Sequence, residues 1–329
     1  MVEVTIYDAG AGDCLRIRYC GTSGKYRNIL VDSGTIRFGA AFARLCAEIQ
    51  KNGEQVDLLI ITHTDDDHLG GLLHMVRQGI SVHADTVVMN HPDGFAAAPE
   101  HCDVPLSLRH NDMIFRSLSA SDIVPRRAVK GEQIPLDGAR LHILHPTQEK
   151  MSRLFGPVTV DTPLAMDDRG VPLEVLAEKG LPSKDASCSN GASIIFIFEY
   201  AEKRLLFTGD AWAEDILDSV RSWAERERIE TPVHFDAVKL PHHGSARNIS
   251  EEWPKVIQTQ QHLICADGRT HPDKLTVAKL LKWYDSADIT SAGAWWDNGY
   301  FSETDREQFI EPGKLILHQG KGGVSTCRI

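Results

Sequence analysis

The run His63-Thr64-Asp65-Asp66-Asp67-His68 sets two imidazoles around three carboxylates, directly after the largely apolar stretch 56–61. Short and rich in branched residues, that stretch reads as a strand buried on both faces. Residues 69–78 carry apolar side chains at helical spacing, so the polar run lies between a strand's carboxyl end and a helix's start. Ligand sites of α/β proteins sit at such places. In an extended loop alternate residues point the same way, so His63, Asp65 and Asp67 converge, Thr64 and Asp66 turn aside, and His68 adds a nitrogen from the first helical turn. Imidazoles and carboxylates held on a rigid strand make half of a site for a divalent ion. Helix capping and dipole compensation would use one aspartate and neither histidine, which leaves metal binding as the stronger account.

Other strand ends carry groups of the same kind. Asn28-Ile29-Leu30-Val31 reads as a buried strand ending in Asp32-Ser33-Gly34, where the acid is either a turn former or a support behind a metal ligand. Residues 203–207 run into Thr208-Gly209-Asp210, and 235–240 into Pro241-His242-His243-Gly244-Ser245. A lone Thr-Gly-Asp is usually a turn and a lone His-His-Gly a polar corner; together, in this order, they point to one shared centre. His271 follows a further strand at 263–266 and is either a turn residue before Pro272 or a group on the same rim.

The elements that must hold these groups alternate in type. Residues 2–7 and 14–19 read as strands joined by a turn-rich loop, 40–51 as an amphipathic helix, and 86–89 and 141–145 as strands. Residues 192–199 and 203–207 suggest a hairpin, and 214–227 and 274–284 helices. Pro92, Pro99, Pro105 and Pro125 break the stretch 91–130. Residues 147–189, polar and holding Asp161, Asp167, Asp168 and Asp185, read as a surface insertion near the active face. Trp295, Trp296, Tyr300 and Phe301 cover the core's edge on the plainer account; stacking of bases or docking of a protein partner are the alternatives. Residues 314–318 and 323–328 read as a closing hairpin.

At 42% apolar and 25% charged residues the composition is that of a soluble globular protein. No apolar run approaches the ~20 residues of a membrane helix, and the N-terminus shows no basic leader, so no membrane association is expected. The seven cysteines form an odd set without a C-x-x-C pair, as in a reduced cytoplasmic protein. A net charge of −11 argues against holding long nucleic acid by the overall field. It leaves room for a local groove, and bound cations would offset part of it.

With Asp8-Ala9-Gly10-Ala11-Gly12-Asp13, Val31-Asp32-Ser33-Gly34, Asn190-Gly191-Ala192-Ser193 and His271-Pro272 added, the set resembles the metallo-β-lactamase fold hydrolases, whose binuclear motif is H-x-H-x-D-H. It is most similar to the soluble hydrolase domain of ComEC-type DNA-uptake proteins, over roughly residues 1–285. The resemblance implies an α/β fold, an αββα sandwich of two mixed β-sheets flanked by helices. One domain would span 1–329, with an insertion at about 147–189 and a C-terminal extension at about 286–329.

The resemblance also implies two divalent metal ions, Zn or Mn. His63 and Asp65 would hold the first, Asp67 and His68 the second, with Asp210 bridging. One histidine of the 242–243 pair, His243 by preference, would complete the second site while its partner faces the substrate. Asp32 would stand behind the ligands; Asp67, His242 and His271 would form the catalytic group; Asn190, Ser193 and Ser245 would bind substrate. The chain departs from the wider family at Asp65, where most members have histidine, and at the mid-chain histidine ligand, whose region carries Asn190 and Ser193. His145, close by, reads as structural. The oxygen-rich first site shifts preference from zinc towards manganese. Two ions ~3.5–4 Å apart bring a shared water's pKa towards ~7, so no serine or cysteine nucleophile is required. The implied activity is metal-dependent phosphodiester hydrolysis on nucleic acid or nucleotides. The alternatives are a hydrolase of a small ester, lactone or thioester, and a weakly catalytic metal-binding subunit of a larger assembly.

Overall fold

A computed structural model describes residues 1–91, 106–121, 123–154, 168–297 and 299–329. Pro92, Pro99, Pro105, Asp161 and Asp167 lie outside the described residues.

In the first half β1 (Val2–Tyr7), β2 (Leu15–Cys20) and β3 (Tyr26–Val31) form an antiparallel meander. Then α1 (Gly39–Lys51), β4 (Leu58–Ile61), α2 (Asp66–Arg77), β5 (Val87–Met89) and α3 (Leu106–Ala120) continue the chain, with β3, β4 and β5 parallel. The second half runs through β6 (Gln133–Leu136), β7 (Ala139–His145), α4 (Gln148–Leu154), α5 (Leu173–Ala177), β8 (Ile195–Tyr200), β9 (Lys203–Phe207) and α6 (Ala213–Glu227). It closes with β10 (Val233–His234), β11 (Ala237–Lys239), β12 (Ile257–Gln258), β13 (Gln261–Leu263), α7 (Lys274–Tyr284), β14 (Ala287–Ser291), β15 (Leu315–Gln319) and β16 (Val324–Arg328). The strands assemble into a six-stranded sheet, β16-β1-β2-β3-β4-β5, and an eight-stranded sheet, β15-β14-β13-β11-β9-β8-β7-β6, with β10 and β12 as a separate pair.

Side-chain alternation explains the layering. On β4, Leu58 and Ile60 enter the core between the sheets while Leu59 and Ile61 pack under α1 and α2. On β9, Leu205 and Phe207 face the other sheet while Leu206 packs under α6 and α7. Burial on both faces is why these strands read as unbroken apolar runs. Helices thus cover both outer faces, giving an αββα sandwich.

One expectation changes. Residues 314–328 do not form a hairpin: β15 joins β14 in parallel and β16 joins β1 antiparallel, so each strand closes a different sheet. Strand alternation alone does not name a partner. Within the described part of 147–189, Leu173 and Leu176 of α5 are buried against the core beside α7. Trp295, Trp296, Tyr300 and Phe301 are interior as well, stacked edge to face within the core cluster around α7.

Candidate metal centre

The parallel strands β3, β4, β9 and β11 end at one edge of the sandwich, and the turns after them carry Asp32, His63, Asp210 and the pair His242-His243. Close packing sets the depth of the first helix. A side chain on Gly70 would start 2.3 Å from Ile36 N, and one on Gly71 2.2 Å from the Ser33 carbonyl. Two glycines therefore let α2 sit on the loop after β3, where the Ser33 N–H donates to the His68 carbonyl at 2.7 Å. The aspartates at its start are not spent on capping: Asp65, at the N-cap, makes no side-chain capping bond. Asp66 turns aside to His110 at 2.7 Å.

At the second tip His242 and His243 have φ of +47° and +55°. Consecutive residues in the left-handed region cost of order 1–3 kcal/mol each unless the surroundings enforce them. Here the turn brings both rings to the same centre.

The imidazoles share one arrangement. Asp32 Oδ2 faces His68 Nδ1 at 2.9 Å, and Asp13 Oδ1 with the Cys265 carbonyl faces His243 Nδ1, both at 2.9 Å. Thr62 Oγ1, which donates to Asp32, faces His63 Nδ1 at 3.2 Å. Asn248 Oδ1 faces His242 Nδ1 at 3.1 Å. For His63, His68 and His243 these partners accept, so Nδ1 carries a hydrogen and Nε2 is the atom turned to the centre, while His242 Nδ1 also lies 3.4 Å from the Asn190 amide. These Nε2 atoms surround one carboxylate oxygen: Asp210 Oδ2 lies 3.4 Å from His68, 3.4 Å from His243, 3.8 Å from His242 and 4.0 Å from His63. Asp67 Oδ2 stands 3.4 Å from His243 Nε2 and Asp65 Oδ2 3.6 Å from His63 Nε2.

Nε2 of His63, His68 and His243, with Oδ1 of Asp210, is buried without a hydrogen-bond partner. Buried polar atoms are almost always partnered. Three imidazole nitrogens and several carboxylates aimed at one point fit divalent cations. Asp13 comes within 4.8 Å of His68, Asp210 and His243, but on the Nδ1 side of the rings, where it also pairs with the Lys239 ammonium. It braces the His243 ring from behind.

Burial weighs most on these charges, and the neighbouring opposite charges outweigh it. Desolvation pushes Asp13 up, yet Lys239 and His243 bring it down to about 2. Asp210 is buried too, and His243 and His68 hold it well below the carboxylate range. Burial disfavours charge on His243, but Asp210 and Asp13 lift it to about 10; His68 is raised for the same kind of reason. Without cations the rings retain protons, which an incoming ion must displace.

A cleft of about 140 Å³ opens beside the cluster, lined by Ala11, Asp67, His242, His243, Thr270 and His271 among others. The His271 ring lies 5.0 Å from that of His242, and burial lowers its pKa. Asn190 is buried, and its amide donates to Asp185 Oδ2 at 2.8 Å. Asp185 in turn takes Asn248 Nδ2 at 2.8 Å, and this network braces His242. Ser193 and Ser245, expected to meet substrate, are fully buried; their hydroxyls accept the Asp210 N–H at 3.1 Å and the Arg247 N–H at 3.3 Å. His145 gives Nδ1–H to the Ser193 carbonyl at 2.9 Å, with Nε2 4.0 Å from Asp215.

Two mixed sheets between helices, with imidazoles and carboxylates gathered at the strand ends, define an αββα metal-binding class. A profile of the Metallo-beta-lactamase superfamily matches residues 8–269, and the chain belongs to that superfamily. It is 20% identical over 298 residues to ComE operon protein 3 of Bacillus subtilis (strain 168), covering 85% of this chain but only 30% of that protein's length. Among solved structures it is similar to the metallo-beta-lactamase fold protein YhfI of Bacillus subtilis (10% identity, TM-score 0.44, 99% of this chain and 100% of that one). Zn²⁺-bound PqqB of Methylobacterium extorquens matches with 13% identity, TM-score 0.46, and 99% and 100% coverage. The diiron β-hydroxylase CmlA of Streptomyces venezuelae matches with 13% identity and TM-score 0.40, over 99% of this chain and 54% of that one.

Proposed function

We propose that the chain is a metal-dependent phosphodiesterase acting on nucleic acid or nucleotides. The observation that carries the metal dependence is the convergence of the buried, unpartnered Nε2 atoms of His63, His68 and His243 on Asp210. His63, Asp65 and Asp210 would hold one divalent ion, and Asp67, His68, His243 and Asp210 the other. When bound, the ions supply Lewis acidity and a nucleophile at neutral pH. The oxygen-rich first set favours manganese or a similar ion over zinc.

The protein's own part is placement and proton handling. The Asp32, Thr62 and Asp13 contacts keep the rings in the ligating tautomer. His242 and His271 line the cleft, where one can bind a non-bridging oxygen and the other pass a proton to the leaving group. The diester class is supported by the motif resemblance to ComEC-type hydrolase domains and the likeness to ComE operon protein 3.

A small ester, lactone or thioester is the second reading, favoured by the net charge of −11 and the small cleft. Hydrolysis of bis-(p-nitrophenyl) phosphate and single-stranded DNA, measured against p-nitrophenyl acetate and a γ-lactone with Mn, Zn or Mg added, separates the two. Turnover of both diesters that Asp210→Ala abolishes supports the proposal. Turnover of the carboxylic esters alone sinks it.

A further inference from the structure

Lys239 ends β11 in the core, its side chain about 2% exposed, two residues ahead of the Pro241-His242-His243 turn. Its ammonium ion-pairs with Asp13 Oδ2, donates to the Gly209 carbonyl at 3.1 Å and stands 3.6 Å from Asp210 Oδ1. The other oxygen of the same carboxylate, Oδ2, is the one the four Nε2 atoms surround. The two oxygens of Asp210 are thus sorted by what they face: a fixed internal cation on one side, the imidazoles on the other. Asp13 is shared in the same way, with Oδ2 on Lys239 and Oδ1 on His243 Nδ1.

We propose that Lys239, anchored by Asp13, is a positioning residue that reserves Asp210 Oδ1 and leaves Oδ2 alone to bridge two cations. A carboxylate in a polar pocket otherwise swings freely between binding one ion through both oxygens and bridging two, and an ammonium against one oxygen removes the first option. Lys239 would never touch substrate or metal; it acts through Asp210. The assignment rests on the two-ion reading of the site, and its test separates the two ideas.

The test is titration of the metal-free protein with Mn²⁺, followed by calorimetry and by electron paramagnetic resonance. The wild type is compared with the double variant Asp13→Asn/Lys239→Met. Removing both members of a buried pair avoids a stranded charge, and the asparagine carbonyl still accepts the His243 Nδ1–H. The wild type is expected to bind two Mn²⁺ and give the multiline spectrum of an exchange-coupled pair. The double variant, with an unchanged thermal melt, is expected to bind the second ion 10- to 100-fold more weakly, as for other supporting groups around metals, and to lose the coupled spectrum. Should it not fold, Lys239→Gln keeps a donor to Asp13 but is too short to reach Asp210, and the same loss is expected. A folded variant with wild-type affinity and coupling overturns the role of Lys239 while leaving the two-ion site intact. A wild type that binds fewer than two Mn²⁺ overturns both.

Discussion

Asp32 Oδ2 accepts the Nδ1–H of His68 at 2.9 Å, with both side chains fully buried. The same carboxylate takes the N–H and hydroxyl of Thr62, each at 2.7 Å, so one acid at the end of β3 orients the His68 ring on α2 and the turn carrying His63. Asp32→Ala is expected to weaken metal affinity roughly 10- to 100-fold, read by competition with a chromogenic chelator. An unchanged constant would mean that the ring is oriented by other contacts.

Metal binding should release protons and tighten with pH. In the cation-free site His243 is raised to about 10 and His68 also lies above its ordinary value, so below those values an ion competes with protons for Nε2. Calorimetry at pH 7 in buffers of different ionisation enthalpy should show at least about one proton released per ion. Buffer-independent heats would show that the rings are already neutral.

His262 of β13 sets an acid limit on stability. Burial lowers its pKa from 6.5 to about 4, so between those values the unfolded chain binds the extra proton and the fold does not. Stability from this residue is complete above about pH 6.5 and falls as pH drops towards 4, by roughly 3 kcal/mol in all. His262→Leu should flatten the dependence of urea midpoint on pH over that window. An equally steep dependence would assign the acid sensitivity to other groups.

Much of the centre is written in short range. A polar run on a buried strand's end identifies the turns at Asp32, His63, Asp210 and His243, because the parallel strands of each sheet, β3 with β4 and β9 with β11, deliver their carboxyl ends to one edge of the sandwich. The contacts of Asp13, Lys239, Asp185 and Asn248 were not legible. Lys239 looks like an ordinary strand lysine until Asp13, a whole sheet away, is seen against it. Asp185 lies in a polar stretch, and only the fold sets it 3.5 Å from His242 Nδ1 and against Asn248. The backbone contacts of Ser193 and Ser245 were hidden for a similar reason: a hydroxyl's direction depends on which backbone N–H lies beside it, and that is set by tertiary packing. The separate sheets of β15 and β16 were hidden because period-two alternation marks a strand without naming its neighbour.

A second buried pair tests how the C-terminal segment is fastened. Lys274 Nζ meets Asp305 Oδ2 at 2.6 Å with both side chains 0% exposed, and Asp305 Oδ1 also accepts the Leu173 N–H at 2.6 Å. Asp305→Ala strands an ammonium in the core and is expected to cost roughly 3–5 kcal/mol in chemical denaturation. Lys274→Met/Asp305→Leu should cost clearly less. Equal losses would place the energy in packing instead of charge.

The most direct test of the centre is metal stoichiometry. After dialysis against Mn²⁺ or Zn²⁺ and removal of free ion, elemental analysis should give two equivalents per wild-type chain and no more than one in Asp210→Ala. A wild-type chain that retains fewer than two ions, or an Asp210→Ala chain that retains two, would contradict the account.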